Sequence, residues 1–358
     1  MQTSSPTELR RVAAIMLAIL SVTGTVLFTA PTGSSPAATL FPQAQSASDG
    51  SRIVSVKPIS NRRFVIAVYS AAMRRAVSLQ VIRPSDTTTP APTMYMLDGA
   101  EDGWTSTGGT KTWESETDLV KFVADKHVNV VTVIDGAYSY YTDWLATDPV
   151  LGRNKWQTFL TRELPSVLDS AFDASGRNAI VGVSMSATSV LQLAQSAPGL
   201  YRSVGSFSGC SDLDNRSCTA GVAAVLALGR ADIDNMWGPM HGKRWVAEDP
   251  GTSANLAKLR GTNLFFASGS GLPGNHDNVQ STGNDLVQLG RQLVIGGGPE
   301  AVIAQSNRRI QKKLAALGIA ATFRFTPAGT HSWGYWQDDL HAAWPSFAKS
   351  LGVPTTQR

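Results

Sequence analysis

The sequence feature that most constrains this chain is Gly182-Val183-Ser184-Met185-Ser186, set between an apolar run and an Ala/Leu-rich stretch. Asn178–Val183 reads as a buried strand, and Ser186–Ala197 reads as the helix that follows it. A serine at a sharp strand-to-helix turn holds its hydroxyl clear of the sheet edge. It also lies at a helix N-terminus, where free N–H groups and the dipole favour negative charge. Acyl transfer needs that geometry, because the attacked carbonyl becomes an oxyanion. The usual fifth residue of such a motif is Gly, and here it is Ser186. A plain helix N-cap is the competing role for Ser184.

Around this turn the chain alternates strands with helices. Ser51–Val56, Phe64–Ser70 and Ala76–Arg83 suggest an opening antiparallel meander. Thr93–Leu97, Val128–Ile134, Asn178–Val183, Ser203–Phe207, Leu264–Ser268 and Phe323–Thr326 supply further strands. Helical patterns cover Phe159–Ala171, Ala220–Leu228, Asp285–Leu293, Ala301–Leu317 and Asp339–Ser350. That order predicts an α/β protein with a mostly parallel sheet covered on both faces. No internal repeat is visible.

The first fifty residues stand apart. Arg10-Arg11 precede the apolar stretch Val12–Ala30, and a Ser/Pro/Ala/Gln-rich segment follows, ending near Ala44-Gln45-Ser46-Ala47-Ser48. This is the pattern of a secretory signal peptide, with cleavage near Ser46; a retained anchor is the alternative. We therefore expect a leader over residues 1–48 and one catalytic domain over residues 49–358. The two cysteines, Cys210 and Cys218, are expected to be bridged in an exported protein and to pin a surface loop. No Cys/His spacing suggests a metal, and no cofactor is implied. A net charge of +4 is too weak and dispersed for nucleic-acid binding.

A serine nucleophile needs a base, and the base needs an acid to orient it. Of the five histidines, His331 follows the final expected strand, late in the chain, as the Ser…acid…His order of α/β-hydrolases requires. His127 lies at the wrong end of the sheet, His341 on a terminal helix expected to face solvent, and His241 and His276 in long loops. Chain order leaves Glu300, Asp277, Asp285 and other late acidic residues open as the acid, and Glu300 is read as opening a helix. The oxyanion should meet the N–H of Met185 and one from the loop after Thr93–Leu97, where Asp98-Gly99 lets backbone approach closely.

Together these residues resemble the antigen 85 type of mycolyltransferase, secreted enzymes of the α/β-hydrolase fold. The resemblance spans about Met94 to Ala348. It rests on Leu97-Asp98-Gly99, Tyr141-Thr142-Asp143-Trp144, Lys155-Trp156, Thr158–Glu163 and Gly182–Ser186. Asn235-Met236-Trp237-Gly238-Pro239, Gly329-Thr330-His331-Ser332-Trp333 and Tyr335-Trp336 complete it. The resemblance implies Ser184 as nucleophile, His331 as base, Glu300 as acid, and the Met185 and Ala100 amides as the oxyanion hole. It also implies Asp98, Ser332 and Trp333 as substrate contacts. The implied substrates are a trehalose monomycolate donor and a sugar acceptor, either a second trehalose monomycolate or arabinogalactan, in the cell envelope. An apolar channel beside Ser184 and a sugar pocket near Asp98 and Trp333 are then expected. The segment Ala100-Glu101-Asp102-Gly103-Trp104 lacks the arginine with which the family holds trehalose, and no counterpart of its reactive cysteine or fibronectin-binding segment is evident. A secreted carboxylesterase with the same triad and a non-catalytic envelope-binding protein are the competing functions.

Overall fold

The computed structural model describes residues 40–100 and 111–356. The expected leader falls almost wholly outside these residues, as does the segment 101–110 that follows Ala100. No helix among the described residues is long and apolar enough to cross a membrane.

Nine strands form one sheet among the described residues, in the order β1-β2-β3-β5-β4-β6-β7-β8-β9. β1 (Arg52–Pro58), β2 (Arg63–Ser70) and β3 (Arg75–Ile82) are the antiparallel meander. β3 pairs antiparallel with β5 (Asn129–Val133), and from there the sheet is parallel through β4 (Thr93–Leu97), β6 (Asn178–Val183), β7 (Tyr201–Phe207), β8 (Asn263–Ser268) and β9 (Thr322–Phe325). The expected fold class, an α/β-hydrolase fold, is thus present.

β4, β5 and β6 are buried at every position, which is why they read as unbroken apolar runs rather than as alternation. The two-residue period then divides each strand between two cores. Tyr95, Leu97 and Ile180 join one cluster with Val167, Val190 and Leu191. Met94, Met96 and Val181 join the other with Leu340 and Phe347. Each such side chain contributes about 1.5–3 kcal/mol by leaving water.

The helices are α1 (Trp113–Glu116), α2 (Leu119–Phe122), α3 (Trp156–Thr158), α4 (Leu164–Phe172), α5 (Met185–Ser196), α6 (Arg216–Leu228), α7 (Ile233–Trp237), α8 (Lys243–Glu248), α9 (Ser253–Ala257), α10 (Leu286–Ala316) and α11 (Trp333–Leu351). A π-helical turn, Phe159–Glu163, joins α3 to α4. Several differ from the sequence reading. The helices expected at Asp285–Leu293 and Ala301–Leu317 are one element, α10, with Pro299 inside it. Glu300 therefore sits mid-helix and does not open a helix. Two of the glycines before it mark close approach instead of a break: a Cβ on Gly296 would stand 3.2 Å from the His331 nitrogen, and one on Gly297 2.7 Å from the Gly271 carbonyl oxygen. α11 begins at Trp333, six residues before the expected start, so His331 lies just ahead of its N-terminus. His341 is half-buried, bonded through Nε2 to Asp118 (2.9 Å) and stacked on Phe122. Cys210 and Cys218 are bridged, with Cys218 buried in the first turn of α6 and not in a polar loop.

Gly182 is where the sheet and α5 meet most tightly. A Cβ there would lie 2.5 Å from the Ser186 carbonyl oxygen. Gly182→Ala is expected to lower unfolding free energy by about 1–3 kcal/mol, as overpacking does, read as a lower urea midpoint at unchanged slope. Gly221→Ala, inside α6 with nothing within 4 Å of the new methyl, should raise stability by about 0.5–1 kcal/mol.

Candidate active site

Ser184 occupies the turn between β6 and α5 with φ 56° and ψ −121°. That conformation costs a non-glycine residue on the order of 1–3 kcal/mol and persists only where its surroundings impose it. Here the Ser184 N–H donates to the Phe207 carbonyl (3.0 Å). Ser186, one turn along, accepts the Val183 N–H (2.9 Å) and directs its own hydroxyl at the carbonyls of Leu97 and Val183 (both 3.0 Å). The hydroxyl where a glycine was expected therefore ties the turn to the end of β4. Ser184 contributes no side-chain cap to α5, so the N-cap role considered for it does not account for its hydroxyl.

That hydroxyl instead meets His331. Ser184 Oγ lies 2.7 Å from His331 Nε2, and His331 Nδ1 lies 2.8 Å from Glu300 Oε2. Of the acids named from chain order, Glu300 is the one in contact with His331. Asp285 caps α10, accepting the Val287 and Gln288 N–H groups. Asp277 bonds to Thr330, the neighbour of His331.

Glu300 is fully buried. A carboxyl group without water must be saturated by the protein. Its Oε1 accepts the Ser208 hydroxyl (2.8 Å) and the Gly269 N–H (2.7 Å), donors carried just beyond β7 and β8. Ser208 has a positive φ of 55° and in turn accepts the Trp336 indole N–H (3.0 Å). The Trp336 ring packs edge-on against His331, 5.1 Å between centroids. Ser208, Gly269 and Trp336 were not singled out in the sequence as partners of the acid. Nothing in their residue types distinguishes them from ordinary loop and helix residues.

The remaining sequence candidates border this chain. Gly99 passes close to the nucleophile, since a Cβ there would stand 3.5 Å from Ser184 Cβ; Ala100 comes next, its carbonyl accepting the Tyr138 N–H (3.2 Å). Met185 opens α5, so its N–H has no partner within the helix. Asp98 is fully buried and accepts the Trp113 N–H (3.1 Å) at the start of α1. Ser332 precedes α11, and its buried Oγ has no hydrogen-bond partner among the described residues. Trp333 stacks edge-on between Trp113 and Trp336. Among the described residues no three His, Cys, Asp or Glu side chains converge to hold a metal ion. A cavity of about 520 Å³ is lined by Ser270, Ala301, Gln305, Arg308 and Phe325. Neither Ser184 nor His331 lines it, so it is not the expected acyl channel.

The Esterase family profile matches residues 70–347. The chain is 32% identical over 304 residues to the diacylglycerol acyltransferase/mycolyltransferase Ag85B of Mycobacterium avium, covering 80% of this chain and 83% of that one. It is 31% identical over 276 residues to the Ag85A protein of Mycobacterium leprae, covering 74% and 76%. Among solved structures, Mycobacterium tuberculosis MPT51 (FbpC1) shares the fold with a TM-score of 0.62 at 23% identity, covering 79% of this chain and 96% of that one. An S-formylglutathione hydrolase from Agrobacterium tumefaciens does so at 0.59 and 16%, covering 84% and 100%. With the family profile spanning most of its length and antigen 85 relatives above 30% identity, this chain belongs to the esterase family of α/β-hydrolase proteins, in its antigen 85 branch.

Proposed function

We propose that this protein is an exported acyltransferase that moves a mycoloyl group from trehalose monomycolate to a sugar hydroxyl through an acyl-enzyme on Ser184. The observation that carries the reading is the hydrogen-bonded run Ser184–His331–Glu300, with its serine held in a strained turn at the start of α5. The names of the antigen 85 relatives supply the acyl-transfer class and the mycoloyl group. Export rests on the N-terminal pattern and on the Cys210–Cys218 bridge, a bond that persists in oxidising compartments.

In this mechanism His331 Nε2 takes the Ser184 proton as Oγ attacks the ester carbonyl. The oxyanion is held by the Met185 and Ala100 N–H groups, and loss of one such donor costs on the order of 10²–10³ in rate. His331 then protonates the departing sugar oxygen. It next removes a proton from the acceptor hydroxyl, which attacks the acyl-enzyme and regenerates Ser184. Glu300 keeps the ring in one tautomer and stabilises the imidazolium formed at each step. Ser208 and Gly269 hold Glu300 still while it does so.

Incubating the protein with a short-chain trehalose monoester and free trehalose should give trehalose diester, and Ser184→Ala should give none. Release of free acid alone, unchanged by added sugar, would make the protein a carboxylesterase with the same triad. Product formation by Ser184→Ala would remove the nucleophile. Glu300→Gln should lower kcat by about 10²–10⁴, by analogy with the neutral replacement of a triad acid, with KM little changed. Ser208→Ala, which removes one donor to Glu300, should lower kcat by about tenfold, the equivalent of one hydrogen bond of roughly 1.4 kcal/mol. Both follow from steady-state kinetics on a chromogenic ester.

A further inference from the structure

We infer that Asp277 is a positioning residue for His331, a second carboxylate that fixes the chain on both sides of that histidine. The inference rests on the reading of Ser184, His331 and Glu300 as the reacting groups.

Asp277 lies in the connection between β8 and α10, and four donors converge on it. Oδ1 accepts the Thr330 hydroxyl and the Gln292 side-chain N–H (2.6 Å). Oδ2 accepts the Gly274 N–H (2.7 Å) and the Tyr335 hydroxyl (2.6 Å). A carboxylate has about four lone-pair sites, so this one is filled entirely by neutral donors. Burial pushes its carboxyl up, but the bonds from Thr330, Tyr335, Gln292 and Gly274 outweigh burial and hold it below its ordinary range.

The origin of those donors gives the carboxylate its role. Thr330 is fully buried and immediately precedes His331. Tyr335 stands in the first turn of α11, four residues after His331. Asp277 thus grips the chain on both sides of the histidine. Gln292 belongs to α10, the helix that also carries Glu300, and the same amide reaches the His276 carbonyl (2.9 Å). The Asp277 side chain therefore connects Gln292, on the helix of the acid, to Thr330, in the loop of the base. Backbone pairing strengthens the same joint: Gly271 N–H donates to the Gly329 carbonyl (2.9 Å), and Gly329 N–H donates to the Leu272 carbonyl (2.7 Å). With His331 required to bond Ser184 and Glu300 at once, displacement of Thr330 would lengthen at least one of the two contacts. A shift of about 1 Å in a reacting group costs up to about 100-fold in rate.

The test compares Asp277→Asn, Thr330→Val and their double variant with the wild-type protein on a chromogenic ester. Active sites are counted by fluorophosphonate titration, and melting temperatures are recorded alongside. Positioning predicts kcat per titrated site about 10- to 100-fold lower in either single variant, with KM within about threefold. It also predicts a double variant no worse than the poorer single, since the two share one contact. Asp285→Ala, which removes the cap of α10 and its bonds to the Val287 and Gln288 N–H groups, should lower the melting temperature and leave kcat per site unchanged. Equal kcat per site in wild type and Asp277→Asn, whatever the melting temperature, would overturn the inference and leave the triad standing. Undiminished turnover by Ser184→Ala would overturn the triad and this inference together.

Discussion

A carboxyl group with no access to water must find all its donors inside the protein, and the placement of Glu300 answers that requirement with three separate strand ends. Ser208 follows β7, Gly269 follows β8 and His331 follows β9, and each supplies one bond to the same side chain. Parallel strands bring their C-terminal ends to one edge of the sheet, so the demand of a single buried group gathers residues far apart in sequence. Removing any of the three leaves Glu300 under-satisfied in a dry site, where an unmade hydrogen bond costs about 1–3 kcal/mol. The same bonds that hold the sheet's edge together also orient the histidine. Stability and function share these contacts.

The nucleophile stands under the opposite kind of constraint. Its backbone is strained, and the strain is sustained by close packing: Gly182 with no room for a side chain, Ser186 bonded across to β4, and the Ser184 N–H anchored on β7. The turn is rigid because β4, β6 and β7 are buried neighbours in the middle of the sheet. His331 sits in a loop ahead of α11. It is there that Asp277, Thr330 and Tyr335 add a second set of polar ties. A rigid serine and a tethered histidine suit a reaction in which the ring must serve two successive proton transfers without losing its place.

Much of this was legible in the residues. β4 and β6 carry the bounds expected of them, because strands buried on both faces write themselves as continuous apolar runs. The short helices α1, α2, α7, α8 and α9 span four to six residues each, too few for a 3.6-residue period to emerge. α10 was read as two helices, and Gly296-Gly297-Gly298-Pro299 lies between the two stretches. Two of its glycines, Gly296 and Gly297, are crowded by His331 and Gly271, a fact of packing that no local pattern carries. Asp277 was legible as an acid in the right part of the chain and was eligible to partner His331. Which carboxylate faces the ring, and which faces its neighbour, is settled by the path of α10 over the loop.

The sequence by itself determined the parallel sheet, the strained serine between strand and helix, the late histidine and the family, since each of these is carried by local pattern or by motifs of fixed spacing. Chain order left the acid open and the family resemblance pointed to Glu300; only the tertiary structure brought that acid against His331 and decided what saturates it and how the loop of the base is held. Those contacts join residues 31, 53, 92 and 147 positions apart. Their geometry comes from the stacking of strand ends and from helix paths, and no short stretch of sequence encodes either.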